Sequence, residues 1–464
     1  MWRAAQQRMT VVAGALLLIL LLAGCTPVET DGTTDPSTPS PGIGVDAQAT
    51  PGAEDGATDP ATAPSPTVLP TPTDVAFDLG VTDEACPDAT NPDNGCIYLG
   101  TVLDLSPDSA GVDSPLHVAA RDAFWERVNE SGGIGGFDVD VVTRGSGGEG
   151  TNGETPVAGV LAMALVGGRD GTRALLPRLR AEGILAVPVA PPPSAWLFEP
   201  VLLESGTTDC LQAMNGLDHL VEVQERAVDA VAVIHVAGEV GDDLTAGARR
   251  WAFGSGAALA TVPIPAGPEI ADEVVPRALE GAPDVLLLAT TAEEARVLID
   301  RALAQGFGGV VLLTDHVAER LDLDEAAGEA LRDRVVVTGP WEHIDADTPG
   351  HQALREQLGD IELRAAHIAT WASSYALLTV LRQAVADGDL TRAGLRDALA
   401  RTIEVDYEGI LPVGAGNLAG EANGRAERTT AISRMETNEV GGITTIEAFY
   451  GGPTARDHDL STPC

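Results

Sequence analysis

Three observations predict an α/β protein built from two units, each a parallel sheet with helices on both faces. Short apolar runs of strand length alternate with helical stretches from residue 97 onward. Most of those runs are short and apolar, the pattern of parallel strands covered by helices on both faces. About 370 residues follow position 96, more than one such unit needs.

The first 96 residues prepare for this body. Arg3 and Arg8 precede an apolar run from Val11 to Leu22, too short for a comfortable bilayer span. It ends in Leu22-Ala23-Gly24-Cys25, which resembles a bacterial lipoprotein signal: small residues before the cut, then a thiol to carry a diacylglycerol. Residues 1–25 are therefore expected to be removed and Cys25 lipidated, the alternatives being an ordinary signal peptide or an uncleaved anchor in which Cys25 is incidental. Residues 26–74 hold ten of the 31 prolines and no aromatic residue or arginine, a composition that cannot bury enough surface to order itself. As a flexible coil this tether spans roughly 40 Å. Residues 75–96 form an N-terminal extension in which Cys86 and Cys96 flank a turn-rich loop that a disulfide could close. Cys210 and Cys464 are the leftover pair. An even count outside the cytoplasm favours two bridges, although four cysteines allow three connectivities. No Cys-x-x-Cys spacing suggests zinc.

From there strands are predicted at 97–105, 137–143, 160–166, 184–189, 230–235, 259–264, 285–289, 310–313 and 335–337. Ser114-Pro115 starts a helix with a cap and a first-turn proline, Leu116, Ala120, Ala123 and Val128 supply its apolar face, and Ser131-Gly132-Gly133 ends it. Further helices are predicted at 272–279 and 293–304.

Composition excludes several function classes. Hydrophobic residues make up 44% of the chain, and the mean hydropathy of +0.08 leaves material for a sizeable core. Twenty-eight basic residues, all arginine, face 69 acidic ones, a net charge of −41. Without a basic patch, nucleic acid is not an expected partner, and electrostatic docking on an anionic membrane is disfavoured. Gly145-Ser146-Gly147-Gly148-Glu149-Gly150 fits G-x-G-x-x-G, with Asp170 twenty residues on, but no apolar helix opens there to offer its N-terminus to a pyrophosphate. Gly254-Ser255-Gly256 lacks the spacing of a nucleophile elbow. His343, Asp345, Asp347 and His351 fit neither a calcium loop nor a His-Glu-x-x-His helix, and are read as a solvated loop. No nucleophile–base pair is visible, so no enzyme, cofactor or metal is expected.

The segment 97–143 resembles the opening of the branched-chain amino-acid-binding proteins of ABC importers, which have the type I periplasmic binding-protein fold. The residues carrying the resemblance are a strand, then Leu105-Ser106-Pro107, then a helix ending in Asn129. Gly132-Gly133-Ile134-Gly135-Gly136 and a second strand follow. Glu182-Gly183-Ile184-Leu185, the helix 292–306 and the spacing of Ile368, Trp371, Tyr375 and Leu378 extend it. So do Tyr407-Glu408-Gly409 and Gly420-Glu421-Ala422-Asn423-Gly424.

The resemblance implies two lobes joined by three crossings, near 205–208, 337–341 and 407–409. Lobe 1 takes 97–207 and 339–408, lobe 2 takes 208–338 and 409–450, and 451–464 is a tail. It implies a small solute such as an amino acid, an ABC permease as partner, and no chemical step. The binding loops fall on 167–172 and 190–194. Here three consecutive prolines, including Pro191 and Pro192, remove backbone donors, and Val240 stands where a tyrosine is expected.

The candidate ligand residues are Ser106, Arg169, Asp170, Pro191, Pro192, Ser194, Asp315, His316 and Trp341. Arg169 could meet a carboxylate bidentately or be a solvated arginine. Asp315 could meet an ammonium group or cap the next segment. Ser106 could donate to ligand or close its own turn, and Trp341 could line the cleft or belong to the core. The segment 145–155 is short and glycine-rich where a helix is expected. The rival to import is a binding-like receptor or scaffold at the cell surface that has lost transport.

Overall fold

A computed structural model describes residues 75–103, 114–145, 157–189, 192–265, 267, 269–321, 328, 330–436 and 442–464. Cys25, the tether, Ser106, Pro191 and most of 145–155 lie outside the described residues.

The first sheet is assembled around β3 (Gly95–Leu103). Two short strands precede it, β1 (Ala76–Phe77) and β2 (Val81–Thr82), and β2 pairs antiparallel with the start of β3. β4 (Phe137–Gly145), β5 (Ala162–Gly167) and β6 (Ala186–Val189) complete it, in the parallel order β4-β3-β5-β6. The helix Ser114–Glu130 leads into β4 through the glycine turn, where Gly133 has a φ of +75° and its Cβ would lie 2.2 Å from the Phe137 carbonyl oxygen. Only glycine fits there. Asn129 locks the same turn, donating to the Val139 carbonyl at 2.9 Å and accepting from its N–H at 2.8 Å.

The N-terminal extension is fastened to this sheet. Cys86 is bonded to Cys96, and the buried Asp138 carboxylate accepts from the Asn91 N–H, Asn91 Nδ2 and Asn94 Nδ2, each at 2.8 Å.

The second sheet contains β7 (Ala230–Val236), β8 (Ala258–Ile264), β9 (Val285–Ala289), β10 (Val310–Thr314) and β11 (Val335–Gly339). They are parallel, in the order β8-β7-β9-β10-β11. Every residue of β9, β10 and β11 is buried, as their unbroken apolar sequences require. Thr291 and Glu294 form the capping box that starts the helix Ala292–Ala304.

The chain returns to the first sheet after β11, contributing the helices Pro349–Leu358, Ala365–Ala386 and Arg392–Leu399. In the helix Ala365–Ala386, Trp371, Tyr375, Leu377 and Leu381 enter the same core as Ile97, Phe124 and Leu354. A two-residue strand, β12 (Asp389–Leu390), pairs with β1. The chain then crosses again, and β13 (Thr430–Met435) and β14 (Ile443–Tyr450) add antiparallel to the edge at β11. No described helix is long and apolar enough to cross a membrane.

All nine strands expected from the sequence are present, with ends shifted by a few residues. β13 and β14 were not expected: β14 is an edge strand with only its two end residues buried, so its sequence carries no strong apolar run.

Candidate ligand cleft

In the first sheet, connection from β3 leads one way to β4 and the other way to β5; in the second, β7 stands likewise between β8 and β9. Open α/β sheets bind ligands outside the carboxyl ends of their strands at such a reversal. The residues just beyond those ends are therefore the candidate site.

Beyond β5, Gly168 takes a φ of +70° and the helix Arg169–Glu182 begins at once. The expected loop over 167–172 is thus a tight turn, because Gly168 reverses the chain within one residue. Arg169 donates through Nη2 to Asp209 Oδ2 at 2.6 Å, so it is not a solvated arginine. Asp209 is fully buried at the start of the helix Asp209–Glu222, which Thr208 caps. Burial raises the Asp209 pKa, and the Arg169 guanidinium opposes that rise. Just beyond β10, the Asp315 charge adds to the rise of Asp209, and the His316 ring stands beside it with Nδ1 3.6 Å from Asp315 Oδ1. Four groups from both sheets thus form one electrostatic cluster.

Asp315 is 8% exposed, and its Oδ1 accepts from the His316 N–H at 2.7 Å. Gly339, at the end of β11, makes room for it: a Cβ there would sit 3.0 Å from Asp315 Oδ2. Beyond β6, the Pro192 carbonyl accepts from the Asp209 N–H at 3.3 Å. Ser194 is buried and donates both its N–H and its hydroxyl to Asp243, which also accepts from the Cys210 N–H at 2.8 Å. Burial and then the neighbouring Asp209 charge push Asp243 up to about 6, against its hydrogen bonds. The Cys464 N–H donates to Ser194 Oγ at 3.0 Å, and the Cys210–Cys464 disulfide fixes the C-terminus there.

The remaining candidates stand apart from this cluster. Asp170 is exposed and pairs with Arg173 one helical turn on. Trp341 is 4% exposed, within the core of the first sheet.

Sequence reasoning missed Asp209, Asp243, His235 and Thr290. The last two are buried at the ends of β7 and β9, flanking the second reversal point. Thr208-Asp209 carried a readable signal, a cap followed by a first-turn acid. Asp243 carried none, being an acid inside a helix.

A second polar cluster corrects the solvated-loop reading of 343–351 at its two histidines, while Asp347 is exposed as that reading has it. His343 and His351 are 4% and 0% exposed. The His343 ring lies between Glu319 Oε1, 3.0 Å from Nε2, and Asp345 Oδ1, 2.8 Å from Nδ1. Glu319 Oε2 accepts from the Ala365 N–H, and Asp345 Oδ2 from Thr444 Oγ1. The cluster therefore fastens the segment after β10 and strand β14 to the helices of the first sheet. Burial by itself would lower the His343 pKa, but the two carboxylates prevail and hold it up at about 9. His351 is pushed down to about 4, by burial and then the Arg355 charge. Asp345 is half-buried and Asp347 exposed, so the two histidine rings turn inward from a loop whose other side faces solvent.

Comparison with known proteins accords with this architecture. The family model described as periplasmic binding protein matches residues 97–439. No curated protein matches the chain. Among solved structures, a fatty acid ABC transporter substrate-binding protein from Thermomonospora curvata shares 22% identity at a TM-score of 0.69, covering 85% of this chain and 99% of its own. A branched chain amino acid ABC transporter protein from Thermus thermophilus, with bound valine, shares 13% at 0.62, covering 78% and 98%. A leucine binding protein from Thermotoga maritima shares 16% at 0.58, covering 76% and 98%. At these identities the likeness is one of fold. With two largely parallel sheets, a chain that passes between them three times and a family match over most of its length, this protein belongs to the periplasmic binding-protein family, in the two-lobed type I form.

Proposed function

We propose that the chain is the extracytoplasmic solute-binding lipoprotein of an ABC importer. It captures an amino acid or related small polar metabolite between its lobes and delivers it to a permease. Lipidated Cys25 and the tether at 26–74 hold it at the membrane surface. Capture proceeds by lobe closure, without a chemical step or a cofactor.

The observation that carries this reading is the cluster in which Arg169, Asp315 and His316, just beyond the carboxyl ends of strands from both sheets, meet Asp209 at the start of its helix. Asp315 meets a ligand's ammonium group. Arg169 exchanges Asp209 for a ligand carboxylate, one charge-assisted pair replacing another. Ser106, Asp170, Pro191, Pro192, Ser194, His316 and Trp341 complete the proposed set. Asp170 and Trp341 enter only through lobe movement, since one is exposed and the other packed in the core.

A thermal-shift screen of the full chain against amino acids, amides, urea, small acids and fatty acids tests this. A ligand that binds the folded form raises its Tm. For a cationic hit, Asp315→Ala should abolish the shift; for an anionic hit it should leave the shift largely intact. A cationic hit whose shift survives Asp315→Ala refutes the assigned role.

The rival reading, a surface receptor that has lost transport, draws on Ser194. Its hydrogen bonds to Asp243 and from the Cys464 N–H occupy groups an importer would offer to solute. Uptake of the bound solute by cells carrying the neighbouring permease favours import, and binding without uptake favours the receptor.

A further inference from the structure

Apart from the cleft, a second polar site lies where two of the chain's passages between the sheets run side by side. A bridge pairs Thr207 with Glu427, and the Thr207 hydroxyl donates to the Thr429 carbonyl. Between these passages is a cavity of about 30 Å³, lined among others by Glu204, Tyr407, Arg425 and Glu427. Three of its polar atoms are sealed from solvent and have no hydrogen-bond partner among the described residues: Glu204 Oε1, Tyr407 Oη and Arg425 Nε. Tyr407 is 2% exposed, and Arg425 keeps its other contact, from Nη2 to the Leu197 carbonyl.

Buried polar groups without partners are uncommon, and three on one small cavity specify a guest that can both donate and accept. Charge narrows the choice. Burial pushes Glu204 up to about 8, Arg425 opposing and Glu199 adding, so its carboxyl is neutral at pH 7. The Tyr407 hydroxyl is likewise held neutral by burial. Arg425 and Glu427 then oppose one another. A cation would face the guanidinium and an anion the carboxylate, which leaves a neutral guest. A water needs roughly 10–15 Å³ by this measure, so the cavity holds one or two and excludes an amino acid.

We propose that this cavity is a built hydration site, in which one or two ordered waters bridge Glu204, Tyr407 and Arg425 across two of the crossings. Glu204 belongs to one crossing, and Tyr407 and Arg425 to the other. A bridging water re-forms its bonds at small cost when the crossings turn against one another, where a direct contact would break. The site is independent of which solute the cleft takes.

The test is a high-resolution crystal structure of the full chain, together with a second data set from crystals pressurised with xenon, which enters dry apolar cavities. The expected result is water density within hydrogen-bond distance of Glu204 Oε1 and Tyr407 Oη, and no xenon. Xenon in the cavity, or Glu204 and Arg425 in direct contact with no water between, overturns the proposal. A structure of Glu204→Leu should show at least one water lost, and an unchanged set of waters counts equally against it.

Discussion

Replacing His343 with glutamine removes the positive charge between Glu319 and Asp345 while keeping a polar side chain of similar reach. In the folded protein the imidazolium is held at about 9, against an ordinary value of 6.5. At about 1.4 kcal/mol for each tenfold change in proton affinity, the charged ring contributes about 3 kcal/mol. Because the folded pKa lies above the unfolded one, that contribution is complete below pH 6.5 and is lost as pH rises through 9. His343→Gln has no such proton to lose. Urea unfolding at 25 °C should therefore show the variant less stable by about 3 kcal/mol at pH 6, with most of the gap closed by pH 10. The chain contains no lysine, so no side-chain amine titrates across this window. Glu204 titrates in both proteins and cancels in the difference. A gap that stays constant from pH 6 to 10 would refute the argument, since the cost would then come from packing rather than from the charge.

Glu204 has the same pH sign for a different reason. As an acid raised from 4.5 to about 8, it makes the fold less stable as pH rises across that interval. Glu204→Gln should consequently gain a few degrees of Tm over the natural chain at pH 8.5 and nothing at pH 4.5, read by calorimetry at both pH values. Cys464→Ser opens a loop whose ends are 254 residues apart, and should cost about 3–5 kcal/mol in non-reducing urea titrations but little in the presence of reductant. Asp138→Ala strips three hydrogen bonds from the loop that the Cys86–Cys96 bond closes. It should cost about 3 kcal/mol and speed amide exchange at Asn91 and Gly95, whereas unchanged exchange there would show that the disulfide alone orders the loop.

Much of the fold was legible because parallel strands buried on both faces leave a direct mark on sequence. The segments 285–289, 310–313 and 335–337 could be read within a residue or two for that reason. The Gly132–Gly136 turn was legible because its conformation excludes side chains. The antiparallel pair at 430–450 was not, since an edge strand alternates weakly and borrows its stability from β11. Around the cleft, Arg169 and Asp315 were singled out by the family resemblance, which places one binding loop at 167–172 and an acid after the strand at 310–313. Asp209, the partner of Arg169, lies forty residues beyond it, and nothing local links the two. His343 and His351 were misjudged because a polar run looks alike whether its histidine rings face water or turn inward.

By itself, then, the amino-acid order determined the alternation of strand and helix and the positions of the tight glycine turns. These depend on steric limits and apolar periodicity within a few residues. Only the tertiary structure decided which acids are neutral, which histidine is charged and which arginine is already paired. Proton affinity depends on lost hydration and on charges brought within a few ångströms, and here those neighbours stand tens or hundreds of residues away along the chain.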